Sequence, residues 1–381
     1  MLALSVAVAV SLGAGVAGVA VHEAAPSSMP VVPLSPTRSS TSTSSPRSID
    51  AVLPELRQFV ESNRGLDFLR PVDVELLDDD AFEKRLGPID AEDREEIEKT
   101  EFVLQAMGLL PPGTDLLAAI EAFAADAVLG FYDAETEELV VRGNEASPLV
   151  RSTLVHELVH ALEDQHFELD RPDLGDEAGA GFLALAEGSA VRVERRYIDS
   201  LPRSERRSAA QAEAAQGQGI PDDLPEVVQI LFGFPYAFGP DLVRAVIGAG
   251  GQPGLDAAFA DPPASTEQVL DPTRYLNGDR PDVVAVPRPD RPAFDDGEIG
   301  ELFLLLMLRA ELSDDVAREA AQGWGGDRYV AWRDGVRTCV RMDFVMDTAK
   351  DTRQLEAALK AWAAERPRTA SVSRTSLRTC G

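Results

Sequence analysis

Basic residues are scarce in this chain. Lys and Arg number 36 against 65 Asp and Glu in 381 residues, a net charge of −29, and Arg far outnumbers Lys. That deficit argues against nucleic acid as a partner. Cysteine is nearly missing: Cys339 and Cys380 are the only two. In an exported protein such a pair suggests one disulfide, stapling the extreme C-terminus to the segment around Val340. The acidic runs Asp78-Asp79-Asp80, 92–98 and Asp295-Asp296 lack the spacing of a calcium loop, so solvation is their expected role. Internal repeats and a second catalytic motif are also missing. The glycines of 323–327 read as a tight turn, too short for a phosphate loop.

Residues 1–21 carry no charge and are rich in Ala, Val and Leu. At about 1.5 Å per helical residue, the stretch is just long enough to cross a hydrocarbon core. It is expected to be a signal peptide or membrane anchor, although it lacks the usual basic start. Residues 22–48 read as a disordered Pro/Ser/Thr linker. Both readings place the body of the protein outside the cytoplasm. The membrane is expected as a partner only through the N-terminal segment.

Histidine is rare too, and its placement is informative. Of four histidines, three are His156, His160 and His166. The first two frame His156-Glu157-Leu158-Val159-His160. On an α-helix, residues four apart are separated by about 40° around the axis and one turn along it. Two imidazoles so placed can bind one metal ion, and Glu157 beside the first can take a proton from a water. The pattern arises by chance in roughly one chain of this length in a hundred. Ser147-Pro148 is a good helix start, and the apolar run from Leu149 to Leu162 suits a buried helix. Two His and a Glu on a buried helix need partners.

The motif and its uncharged flanks, Thr153, Leu154, Val155, Leu158, Val159, Ala161 and Leu162, resemble the zincin metallopeptidases. The phrases GFYDAETEELVVRG, HELVHALEDQHFELD and ALAEGSA extend the resemblance over roughly residues 125–200. It implies Zn2+ as cofactor, His156 and His160 as ligands, Glu157 as general base, and a third protein ligand. Glu187, on a helix expected over 178–197, resembles the gluzincin arrangement. The small residues Ala180, Ala184 and Gly188 there would let that helix approach the first closely. His166 instead matches the eleven-residue metzincin spacing, but Glu163 stands where a turning glycine is needed. If the helix simply continues, His166 points about 240° away from His160, so helical geometry favours Glu187. Glu163 and Asp164 could orient a ligand imidazole, though solvation is their ordinary role. Tyr197 is available to an oxyanion, but a packed aromatic is the preferred reading.

The fold class expected is α+β. A zincin-like catalytic domain would span 49–202, with a small mixed sheet, the HExxH helix and a Glu-bearing helix after it. A mobile connector follows over 203–222, then a mainly helical region over 223–381. Helices are expected over 49–66, 92–107, 115–125, 225–232, 240–248, 298–311 and 352–365. Strands are expected over 72–76, 336–344 and 370–380, with a hairpin at 128–142. The implied function is an extracytoplasmic zinc peptidase acting on a peptide or protein substrate. Two others stand beside it: a non-catalytic zincin-fold surface module, and a zinc hydrolase of a non-peptide amide.

Overall fold

The structure is a computed structural model that describes residues 8–12, 48–216, 224–366 and 368–381. It is an α+β protein with two sheets. The first is small and mixed. Its strands are β1 (Val8–Leu12), β2 (Val74–Leu77), β3 (Val128–Asp133) and β4 (Glu138–Arg142), in the order β1-β3-β4-β2. β3 and β4 form the expected antiparallel hairpin, while β2 joins β4 in parallel. Of the expected export segment, only β1 lies within the described residues; it pairs antiparallel with β3. The linker expected over 22–48 lies outside them except for Ser48.

Helix α1 (Ile49–Arg64) packs on the same core as the first sheet. α2 (Asp79–Leu86) was not anticipated. Asp78, read as a solvated acid, accepts a hydrogen bond from the Ala81 N–H at 3.0 Å and caps it. Short acidic side chains at a helix start answer N–H groups that have no partner in the helix. α3 (Ala91–Met107) and α4 (Leu116–Ala127) are capped in the same way by Asp90 and Asp115.

α5 (Pro148–Phe167) carries the histidine motif and starts as expected, with Ser147 Oγ accepting from the Val150 N–H at 3.2 Å. It crosses the first sheet closely. A Cβ on Gly130 of β3 would lie 2.9 Å from Thr153 Cγ2. α6 (Asp176–Ser200) follows. The expected connector is helical through α7 (Arg203–Gln216); its Ala, Arg, Gln and Glu are strong helix formers. The rest of that connector lies outside the described residues.

The two helices expected after the connector are one element, α8 (Glu226–Ala260), with Pro235, Pro240 and Pro253 inside it and a break at Gly251. By length and composition α8 could cross a bilayer. Here Val228, Phe234, Leu242, Val243, Leu255 and Phe259 are buried inside the molecule. The small residues of α6 meet α8, not α5 as expected. A Cβ on Gly188 would lie 2.3 Å from the Gly239 carbonyl carbon, and one on Gly239 would lie 2.1 Å from Ala184 O. Backbones this close leave no room for any side chain.

The C-terminal region holds more sheet than expected. α9 (Thr266–Leu270), α10 (Pro272–Leu276), α11 (Gly300–Arg309), α12 (Asp314–Ala321) and α13 (Ala349–Ala364) surround five strands. These are β5 (Ala293–Gly297), β6 (Trp324–Asp334), β7 (Arg337–Met346), β8 (Ser371–Ser373) and β9 (Ser376–Cys380), antiparallel in the order β5-β6-β7-β9-β8. β6 runs through the segment read as a tight turn, and its register shifts between Trp324 and Gly326. Gly residues at a bulge imitate a turn in sequence. Cys339 and Cys380 face each other across β7 and β9 and are disulfide-bonded, as expected.

Candidate metal centre

His156 and His160 lie on one face of α5, their ring centroids 4.9 Å apart. α6 brings Glu187 against them. His156 Nε2 is 3.0 Å from Glu187 Oε2, and His160 Nε2 is 3.5 Å from the same oxygen. The three ligand atoms all lie within 4.8 Å of one another. Their residues are almost fully buried, at 1%, 0% and 1% exposure in chain order. His160 Nδ1 has no hydrogen-bond partner among the described residues, and its Nε2 has only the long contact to Glu187. A buried polar atom without a partner costs free energy. An Nε2 held this loosely beside a carboxylate and a second imidazole is compatible with a nitrogen ligand to a divalent cation. Two His and one Glu are a donor set that zinc accepts, so the residues present fit the metal.

A second acid orients the first imidazole. His156 Nδ1 is 3.2 Å from Glu194 Oε2, the carboxylate–histidine arrangement that fixes a metal-binding tautomer. Sequence reading missed Glu194. It stands seven residues after Glu187, nearly two full turns, and so shares its face of α6. Burial disfavours the charged imidazole of His156, but Glu187 and Glu194 outweigh it and hold its pKa well above the usual value. Burial likewise opposes the charge on Glu187, yet the two imidazoles hold its carboxyl down at about 2. The site therefore favours positive charge beside Glu187.

Tyr236 of α8 also escaped sequence reading. Its ring stacks on His156, centroids 6.2 Å apart and 24° from parallel. Its hydroxyl bonds the Glu187 carboxylate; burial first, then Glu187 and Glu157, push its pKa well above the ordinary phenol value. Glu157, next to His156 in the chain, is fully buried. Its charge acts on Tyr236 from α5.

The other residues singled out from the sequence take structural places. α5 continues through Glu163 without a turn, and His166 Nε2 lies 2.9 Å from the Asp67 carbonyl oxygen, away from the cluster. Glu163 is buried rather than solvated. It accepts hydrogen bonds from Arg64 Nε and Ser189 Oγ, both at 2.5 Å, and so ties α1, α5 and α6 together. Asp164 accepts from Tyr132 Oη at 2.8 Å and from the Leu169 N–H at 2.9 Å. Tyr197 packs edge-on against Phe59, centroids 5.3 Å apart.

The family model described as Domain of unknown function (DUF8575) matches residues 290–379, which hold the second sheet and α11 to α13 but none of the metal-centre residues. No curated protein matches the chain. No solved structure matches it either.

Proposed function

We propose that this protein is an extracytoplasmic zinc-dependent peptidase with a zincin-like, gluzincin-type centre. His156, His160 and Glu187 would hold the metal. The observation that carries the reading is the convergence of three buried donor atoms, from His156, His160 and Glu187, within 4.8 Å of one another. When bound, zinc supplies Lewis acidity toward a carbonyl and makes a water acidic near neutral pH. The remaining steps belong to side chains. Glu157 accepts the proton of the attacking water and returns it to the leaving amine. Glu194 holds the His156 ring by Nδ1, 3.2 Å away. Tyr236, whose hydroxyl bonds Glu187, would turn that donor toward a developing oxyanion, a role that needs a donor besides the metal. The disulfide between Cys339 and Cys380 supports a site of action outside the cytoplasm.

One observation favours the second reading, a zincin-like fold with a non-catalytic metal. Glu157 and the three donors are all at most 1% exposed, and a peptide needs access. Glu157→Gln separates the two. The peptidase reading expects this variant to keep zinc and lose turnover by roughly a hundredfold or more in a broad peptide-cleavage screen. Hydrolysis that survives the substitution undiminished contradicts the assigned base. Wild type that binds zinc and cleaves nothing supports the non-catalytic reading.

A further inference from the structure

A different face of α8 lines a second site. Phe234 and Phe238 each stand two residues from Tyr236, so they point about 160° away from it around the helix. They border a partly open cavity of about 910 Å³ between α8, α10, α11 and α12. Its apolar wall comes from Phe234, Leu302, Leu305 and Leu306. Glu301, in the first turn of α11, also lines it. The residue is 9% exposed, and its carboxylate, open to the cavity, forms no hydrogen bond or ion pair with any described residue.

The nearby cations do not answer it. Arg274 Nη1 is taken by three other carboxylates, Asp347 at 2.6 Å, Asp279 at 2.8 Å and Glu267 at 3.2 Å. Arg309 pairs with Asp314 at 3.0 Å. Arg318 is the lining guanidinium without a charged partner among the described residues, but it is only half-buried and so keeps its water. A largely buried carboxylate beside an apolar wall, with Arg274 acting on it only at a distance, is costly. The arrangement is complementary to a cation with a greasy body.

We propose that this cavity is a ligand site for a primary amine carrying an apolar chain. The ammonium group donates hydrogen bonds to Glu301, and the chain lies against Phe234, Leu302, Leu305 and Leu306. The volume falls in the range of ordinary small-molecule sites, about 300–1,000 Å³. The other lining carboxylates are already engaged, Asp241 by Arg244, Asp271 by Thr273 and Asp351 by Thr348. Glu301 alone is left for a ligand, and one carboxylate does not make a site for a hard cation, which takes several oxygen ligands. Burial, partly opposed by Arg274, pushes the Glu301 carboxyl up to about 7, which agrees with a negative group short of positive neighbours. The proposal stands independently of the zinc centre.

The test is isothermal titration of the full chain with n-octylamine at about pH 8, where both amine and carboxylate are charged. Octanoate and octanol serve as comparators. Octylamine is expected to saturate one site per chain, and Glu301→Gln, nearly isosteric, to weaken it at least tenfold. Ala237 lines the cavity from an exposed position on α8, so Ala237→Trp should block binding without disturbing buried residues. No saturable octylamine binding to wild type overturns the proposal. So does undiminished binding by either folded variant. Octanoate or octanol binding as tightly as octylamine also overturns it, because Arg318 or the apolar wall alone would then suffice.

Discussion

Asp327 and Glu187 are almost equally buried carboxylates, at 2% and 1% exposure, and their surroundings are opposite in kind. Asp327, on β6, accepts from the Ile299 N–H at 3.0 Å, the Gly300 N–H at 2.9 Å and Trp324 Nε1 at 2.9 Å. Glu177 nearby accepts from the Thr266 N–H and Oγ1, both at 2.8 Å. The fold is built around these acids: a Cβ on Gly300, at φ 70°, would lie 2.1 Å from the Glu177 carboxylate. Glu187 instead faces the Nε2 atoms of two imidazoles and the hydroxyl of Tyr236. Backbone N–H groups, joined by Trp324 Nε1 and Thr266 Oγ1, make Asp327 and Glu177 part of the scaffold. Two imidazole nitrogens gathered around Glu187 are what the proposed metal site rests on.

Glu177 tests the scaffold half of that contrast with the largest expected effect. Burial pushes its carboxyl from 4.5 up to about 8, against the opposing hydrogen bonds of Thr266. The folded protein keeps a proton that the unfolded chain releases across that interval. This contribution to stability is full below about pH 4.5 and is lost as pH rises through about 8, by several kcal/mol on the linkage relation. Denaturant unfolding from about pH 5 to 9 should show a decline in wild type and a shallower one in Glu177→Gln. Equal slopes contradict it.

Asp327→Ala comes next. It strands three buried donors, so a loss of about 3 kcal/mol is expected, read from urea denaturation, with zinc affinity unchanged. A fall in zinc affinity without a stability loss would erase the distinction between the two acids. Glu194→Gln should do the reverse at smaller scale. Loss of the carboxylate behind a metal-binding histidine typically costs about 10–100-fold in affinity. Competition with a chromogenic chelator measures it, and unchanged affinity removes Glu194 from the site.

The contrast was partly legible in sequence because its first half is local. His156, Glu157 and His160 share one turn of helix, and Ser147-Pro148 announces where that helix begins. Glu187 could be picked out because it interrupts an apolar helical run, and Glu194 repeats its face two turns later. Tyr236 could not. It arrives from 49 positions beyond Glu187, on a helix that Pro235 and Pro240 disguised as two pieces. The contact that brings it in is the Gly188–Gly239 crossing, which no single-helix pattern reports. β6 was hidden for a related reason, its Gly325-Gly326 bulge having the composition of a turn. Asp78 looked like surface charge because a cap and a solvated acid have the same residue type.

The central claim is that Glu187 completes a zinc site with His156 and His160. Its most direct measurement is zinc content of the purified full chain by elemental analysis, beside the double variant His156→Ala/His160→Ala and the single variants Glu187→Ala and His166→Ala. The account predicts about one zinc per chain in wild type and in His166→Ala, by the three-ligand logic of catalytic sites. It predicts none in the double variant and a large loss in Glu187→Ala. Full occupancy in the double variant, or loss with His166→Ala while Glu187→Ala keeps its metal, would contradict it.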